Sequence, residues 1–456
     1  MKLSSAVKHR FSGAQKAQPV HNDGTRFSSA EIASITSGAS YEMIAERVLR
    51  KIDGQVAADM AKPALIVEIE KLVAQIANEE RIEINGREQQ LLAVSIVDDF
   101  KGYGPIEEAL ADESITEIMI NGPKTVFIER AGKIALSNIT FRSEAHLRGI
   151  AVRIARYIGR RLDDQQPYVD ARLPDGSRVN IVIPPVAIDG TCVSIRKFPL
   201  SKMRLEDLVK FGSMSREMSI FLEAISAARC NIIVSGGTSS GKTTILNAMS
   251  DFIRQNERVV TIEDSAELQL NILNVVRMET RTASSEAGSK AITQRDLVAN
   301  SLRMRPDRII IGEVRREEAF DLLQAMSTGH DGSMGTIHSN SPRDTCSRLE
   351  NMILMTGVEL PIKVIRAQIS SSIDFIVHAA RGPDGRRRVV AITEILGLEG
   401  DVITLQDIFY YEYGDGRRPG AGRFLSNPVN IKASDKLRSY GHFEDAVNAI
   451  AASQKA

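Results

Sequence analysis

The chain has 456 residues, 43% of them hydrophobic and 25% charged, the make-up of a soluble globular protein with room for about two or three domains. Lysine plus arginine equals aspartate plus glutamate at 58 each, so no overall charge drives the chain onto nucleic acid or lipid. It has no unbroken apolar run of about 18 residues to cross a membrane and no apolar core in its first residues to act as a secretory signal. Its three cysteines, Cys192, Cys230 and Cys346, lie far apart and suggest buried thiols in a reduced, cytosolic compartment.

In chain order, residues 1–38 are rich in Ser, Gly, Ala, Lys and Gln without an apolar period, and are expected to be a disordered tail. Residues 39–112 are expected as an N-terminal helical domain. Ile66, Ile69, Leu72, Val73, Ile76 and Ala77 recur at helical spacing, and Leu91, Leu92, Val94, Ile96 and Val97 seed a second helix. Gly102-Tyr-Gly-Pro105 stops it. A smaller α+β domain is expected over 113–198. Short strands run near Ile115–Ile120, Val126–Glu129 and Ile134–Ile139, Ser143 caps a helix, and Pro174-Asp-Gly176 turns between two more strands. Pro199 to Ser215 is polar and reads as a linker.

From 216 to 412 helices and apolar strands alternate, as in a RecA-like α/β sheet, with strands at 231–235, 258–262, 307–311 and 334–338. The stretch 341–380 reads as helices, followed by a hairpin turning at Pro383-Asp-Gly385. Residues 413–456 read as a C-terminal tail with a weak helix near 443–452.

Gly236-Gly-Thr-Ser-Ser-Gly-Lys-Thr243 matches the phosphate-binding loop G-x-x-x-x-G-K-[ST], and it stands between a strand and a helix as that loop requires. Backbone N–H groups of Gly236, Gly237, Thr238, Ser239, Ser240 and Gly241 would cradle phosphates, with Thr244 opening the helix behind them. Lys242 would reach the β- and γ-phosphates, and Thr243 would hold Mg²⁺. The implied ligands are ATP and Mg²⁺.

Three further strands end in polar residues, and in open α/β sheets ligands collect at such ends. The first ends in Glu263 and Asp264, suited to Mg²⁺ or water, or to capping a helix. The apolar strand Arg308-Ile-Ile-Ile-Gly-Glu313 ends in a candidate general base, although the residue usual at that place is aspartate. Glu263 competes with Glu313 for that role. Thr328-Gly-His-Asp-Gly-Ser-Met-Gly-Thr-Ile-His338 offers His330 and His338 as phosphate sensors or as packed histidines. Arg172, Arg178 and Arg196, in the smaller domain, could reach a nucleotide as arginine fingers, but taken by themselves they read as surface charges.

Taken in this order, the phosphate loop, the Thr261-Ile-Glu-Asp-Ser265 box, the 307–313 strand and the 328–340 box resemble the secretion-ATPase superfamily of type II secretion, type IV pili and type IV secretion. The resemblance covers about 100–410. Within it, the N-terminal helices and Ala171-Arg-Leu-Pro-Asp-Gly-Ser-Arg-Val-Asn180 look most like the CpaF-type tight-adherence (Flp/Tad) pilus ATPases. That resemblance implies a RecA-like motor domain behind a smaller PAS-like α+β domain. It implies ATP hydrolysis by a homo-hexamer, inner-membrane pilus platform proteins as partners, no nucleic acid, and a cytoplasmic position peripheral to the inner membrane. It makes Glu313 the catalytic glutamate, Glu263 an acid near Mg²⁺ and water, and His338 a sensor. It also makes Arg172, Arg178 and Arg196 phosphate-approaching residues. The four-cysteine zinc module of many relatives is missing, since only Cys346 follows the 328–340 box. A DNA- or protein-transfer ATPase of type IV secretion is the alternative within the fold, and a nucleotide-gated adaptor with little turnover is the alternative outside motors.

Overall fold

The computed structural model describes residues 39–52, 57, 60–130, 132–198, 202–281, 290–414 and 420–454. The disordered tail expected at 1–38 lies outside these residues. The chain divides into two units, one of residues 1–174 and 179–197, the other of 175–178 and 198–456.

The first unit begins with α1 (Ala39–Lys51), α2 (Lys62–Glu79) and α3 (Gly86–Lys101). Leu65, Ile69, Val73, Ile76 and Ala77 of α2 are buried, and this stripe meets Ile44 and Val48 of α1 and Leu92 and Ile96 of α3. A reciprocal cap between Asn85 and Glu88 starts α3. After α4 (Glu107–Ala111) come β1 (Ile115–Asn121), β2 (Val126–Arg130), β3 (Lys133–Leu136), α5 (Glu144–Tyr157), β4 (Tyr168–Arg172), β5 (Arg178–Val182) and β6 (Cys192–Arg196). Among the described residues these strands form one sheet in the order β3-β2-β1-β6-β5-β4. Ser143 caps α5, whose Leu147, Ile150, Ala151 and Ile154 pack on Ile118, Ile120, Val179, Ile181 and Ile195.

The second unit opens with α6 (Leu205–Lys210), inside the stretch expected to be a linker. Leu205 and Leu208 are buried in the main core, and that apolar anchoring folds a short polar segment which shows no period of its own. Then follow α7 (Arg216–Ala227), β7 (Ile232–Gly236), α8 (Lys242–Met249), β8 (Arg258–Glu263), β9 (Asn274–Glu279), α9 (Gln294–Ser301), β10 (Arg308–Val314), α10 (Glu318–Ser327) and β11 (Met334–His338). The chain continues through α11 (Pro342–Met355), α12 (Ile362–Ser372), β12 (Phe375–Arg381), β13 (Arg387–Glu399), β14 (Val402–Tyr413), β15 (Gly422–Ser426), α13 (Ser434–Tyr440) and α14 (Phe443–Ser453).

Its sheet runs β15-β14-β13-β12-β7-β11-β10-β8-β9. β12, β7, β11, β10, β8 and β9 pair in parallel, and β13, β14 and β15 extend the sheet antiparallel. Every residue of β7 is buried, as expected of a central parallel strand covered on both faces. This is the RecA-like α/β architecture anticipated from the alternating pattern.

Two further features differ from expectation. Phe375–Arg381 is a strand beside β7, not the end of a helical run: an apolar stretch of strand length fits either state until its neighbours are known. The residues after 412, expected as a tail with a weak helix near 443–452, supply β15 and α13 as well as that helix, α14, whose Ala446, Ala449 and Ile450 join the core around Phe221, Phe375 and Phe409. Among the described residues no helix is long and apolar enough to cross a membrane.

Candidate active site

The loop between β7 and α8 is fixed by its surroundings before any ligand is considered. Gly236 has φ +151°, and a Cβ there would stand 2.1 Å from the Ala379 carbonyl oxygen of β12 and 2.6 Å from Ser240 Oγ. Only glycine fits. Ser239 and Gly241 also have positive φ, at 55° and 95°, which turns the chain sharply into α8. Ser240 is buried, and its Oγ has no hydrogen-bond partner. Lys242 Nζ folds back on the loop, donating to the carbonyls of Gly236 at 3.1 Å and Gly237 at 2.8 Å. Burial lowers the Lys242 pKa. A lysine turned back onto loop carbonyls, beside an orphaned buried hydroxyl at a helix start, fits a phosphate group.

The ends of β10 and β11 bring Glu313 and His338 to this lysine. His338 Nδ1 lies 3.4 Å from Lys242 Nζ, and its Nε2 lies 2.9 Å from Glu313 Oε1. Burial and then the Lys242 charge lower the His338 pKa, so the ring is neutral. The neighbours then assign the tautomer: Nδ1 accepts from the ammonium, and Nε2–H donates to the carboxylate. The other Glu313 oxygen accepts from Arg315 Nη2 at 2.6 Å. Burial pushes the Glu313 pKa up. The Arg315 hydrogen bond and the charges of Arg315, His338 and Lys242 outweigh it, leaving the carboxyl below its usual value.

Glu263 ends β8, the strand next to β10. Its Oε2 accepts the backbone N–H groups of Glu267 at 2.7 Å and Leu268 at 3.0 Å, while Oε1 is buried without a partner. Burial raises its pKa to about 7, against those two hydrogen bonds. Gly312 makes room for it, since a Cβ there would approach Glu263 Cγ to 2.8 Å.

The strand-end residues selected from sequence therefore sit on adjacent strands. His330 stands apart: its Nδ1 lies 3.2 Å from the Ala325 carbonyl at the end of α10. Arg172 ends β4, Arg178 opens β5 and Arg196 ends β6, with Arg196 Nε 3.8 Å from Glu117. Three residues at this site gave no sequence signal of their own. Arg315 bonds Glu313. His378 Nδ1 lies 2.8 Å from Ser235 Oγ at the root of the loop. The Arg387 stem lies 3.7 Å from the position of a Cβ on Gly241.

Residues 99–393 match the family model described as type II/IV secretion system protein. The chain is 36% identical over 310 residues to a putative conjugal transfer protein of Mycobacterium tuberculosis (strain CDC 1551 / Oshkosh), covering 67% of this chain and 87% of that protein. It is 33% identical over 318 residues to the type IV secretion system protein VirB11 of Brucella suis biovar 1, covering 63% and 87% respectively. Among solved structures, that of the VirB11 ATPase from the Brucella suis type IV secretion system in complex with sulphate matches at 30% identity. It covers 63% of this chain and 94% of that one, with a TM-score of 0.34. The family match takes in the phosphate loop, Glu263, Glu313 and His338 together, and the chain belongs to the type II/IV secretion system protein family, within the secretion-ATPase superfamily.

Proposed function

We propose that the chain is an ATP-hydrolysing motor. The observation that carries this reading is the connected line Lys242–His338–Glu313, which ties the phosphate loop to a carboxylate on the next-but-one strand. ATP would place its phosphates against the N–H groups of Gly236 to Thr244. Lys242 would exchange the Gly236 and Gly237 carbonyls for phosphate oxygens. Mg²⁺, when bound, would be held by the Thr243 hydroxyl and, partly through water, by Glu263, and would neutralise phosphate charge.

Water then adds to the γ-phosphorus, the bond to the ADP oxygen breaks, and the water's proton passes to Glu313. That carboxyl is ionised at neutral pH and so able to accept it. His338 holds Glu313 in place and reports on Lys242. Arg172, Arg178 and Arg196 would stabilise charge on the transferring phosphoryl group.

At a finer level, the reading is a homo-hexamer that powers assembly of a tight-adherence type IV pilus. It would be cytoplasmic and held at the inner membrane by platform proteins, without nucleic acid. The helical N-terminal segment and the Ala171–Asn180 stretch support it. A type IV secretion ATPase for DNA or protein transfer is the second reading, favoured by the conjugal transfer and VirB11 relatives.

The test is ATP turnover by wild type and Glu313→Gln, with light scattering on both. A roughly six-subunit particle that hydrolyses ATP, and a variant that binds ATP with turnover reduced by about a hundredfold or more, are expected. A variant at wild-type rate would remove Glu313 as base and leave Glu263 next. Deleting the gene in its host and scoring surface pili against DNA transfer separates the two motor readings.

A further inference from the structure

Glu313 is engaged on both sides. One oxygen takes the His338 N–H, and the other takes Arg315 Nη2 at 2.6 Å. The same guanidinium places Nη1 3.4 Å from Asp264 Oδ2, so it bridges two acids at the ends of neighbouring strands β8 and β10. Arg315 is anchored through its backbone rather than its side chain. Its N–H donates to Glu318 Oε1 at 2.5 Å, and the next N–H donates to the same oxygen at 2.8 Å, at the start of α10. The side chain is 55% exposed. The guanidinium can therefore leave Glu313 for solvent, for Asp264 or for a phosphate without stranding a buried charge, whereas Glu313, 22% exposed and held by His338, stays. A carboxylate under a guanidinium is a poor proton acceptor, because each hydrogen bond to the charged form makes protonation harder.

We propose that Arg315 is a latch on Glu313. Between nucleotides it keeps the carboxylate closed, with Asp264 as the second point of attachment, and arrival of nucleotide phosphate draws it off so that Glu313 meets water uncovered. Arg315 is thus a positioning residue that acts through Glu313. The inference rests on Glu313 being the base. It differs from an arginine that stabilises the phosphoryl group directly, because the two roles move the rate in opposite directions.

The experiment measures kcat, KM and the pH profile of kcat/KM for the full chain as wild type, Arg315→Ala, Arg315→Lys, Glu313→Gln and the double variant Arg315→Ala/Glu313→Gln. Circular dichroism and binding of a fluorescent ATP analogue confirm that each variant is folded. With the latch removed, kcat/KM of Arg315→Ala rises by up to about fivefold, the scale of a half-exposed ion pair, with kcat little changed. The acid limb of its pH profile moves upward, because Glu313 loses the cation that depresses it while keeping His338 and Lys242. Arg315→Lys falls between the two, since an ammonium keeps the charge without the fork. The double variant is as inactive as Glu313→Gln. A fall of about a thousandfold in Arg315→Ala would make Arg315 a phosphate-contacting residue and overturn the latch. An unchanged rate and unchanged pH profile would overturn it equally. If Glu313→Gln instead keeps the wild-type rate, the assignment of the base fails, an outcome read on a different arm from either of these.

Discussion

At the scale of single residues, burial decides the chemistry of the two candidate acids. Glu313 is half-wrapped by cations and stays ionised. Glu263, one strand away, has only backbone donors for one oxygen and none for the other, and its pKa stands at about 7. This has a sign in stability. Between about 4.5, the ordinary value, and about 7, the folded chain holds a proton on Glu263 that the unfolded chain has released. The contribution is whole below the ordinary value and is lost as pH rises through about 7. The loss is on the order of 3 kcal/mol. Urea unfolding from pH 4.5 to 8, without magnesium or nucleotide, is expected to show this decline in wild type and a flatter curve in Glu263→Gln. Identical slopes would mean that Glu263 titrates normally. Glu263, Glu313 and His338 were legible because each stands at the end of an apolar strand, and strand ends converge by topology. Arg315, His378 and Arg387 were not legible, because their importance comes from a partner brought close by folding.

At the scale of elements, the phosphate loop, β10 and β11 could be read from local pattern alone. β12 could not, and α14 could be read as a weak helix but not as a part of the core. β12 is buried because β7 accepts it in parallel register, and α14 because α7 and β15 leave a face to cover. Nothing within Phe443–Ser453 announces that role beyond a short apolar stripe. The final helix is therefore part of the motor unit's core. Ser426 Oγ donates to the Ile450 carbonyl, and Ala446 is fully buried. Ala446→Asp would bury an unpaired carboxylate and is expected to destabilise the unit by about 2–4 kcal/mol. Thermal unfolding would register this as a clear fall in Tm. A neutral result would mean that α14 peels away at little cost.

At the scale of the whole molecule, the chain carries no net charge and divides its candidate chemistry between two units. The loop, Glu263, Glu313 and His338 belong to one. Arg172 and Arg196 belong to the other, and Arg178 opens a strand that runs into it. If those arginines serve the transferring phosphoryl group, their removal costs turnover and spares ground-state binding. Arg196→Ala is then expected to lower kcat by about a thousandfold, with the affinity for a fluorescent ATP analogue within a few fold of wild type. Equal losses in affinity and rate would assign Arg196 to nucleotide binding, and no loss would return it to a surface pair with Glu117. The change of period near residue 113 falls inside the first unit, but the alternation of helices and strands from 216 onwards was visible in sequence. The role of 198–215 as part of the second unit was not, because a six-residue helix carries too few apolar positions to declare itself.

The carbonyl of Ala379 gives the first glycine of the phosphate loop a second master. Gly236 is demanded by the neighbouring strand whether or not a ligand ever arrives. Lys242 meets no such demand from the fold, since solvent could serve the Gly236 and Gly237 carbonyls as well and its other partner, His338, belongs to the same site. In a descendant that had abandoned nucleotides, drift would erase the lysine and preserve the glycine. The glycine thus records ancestry of the fold, and the lysine records current employment.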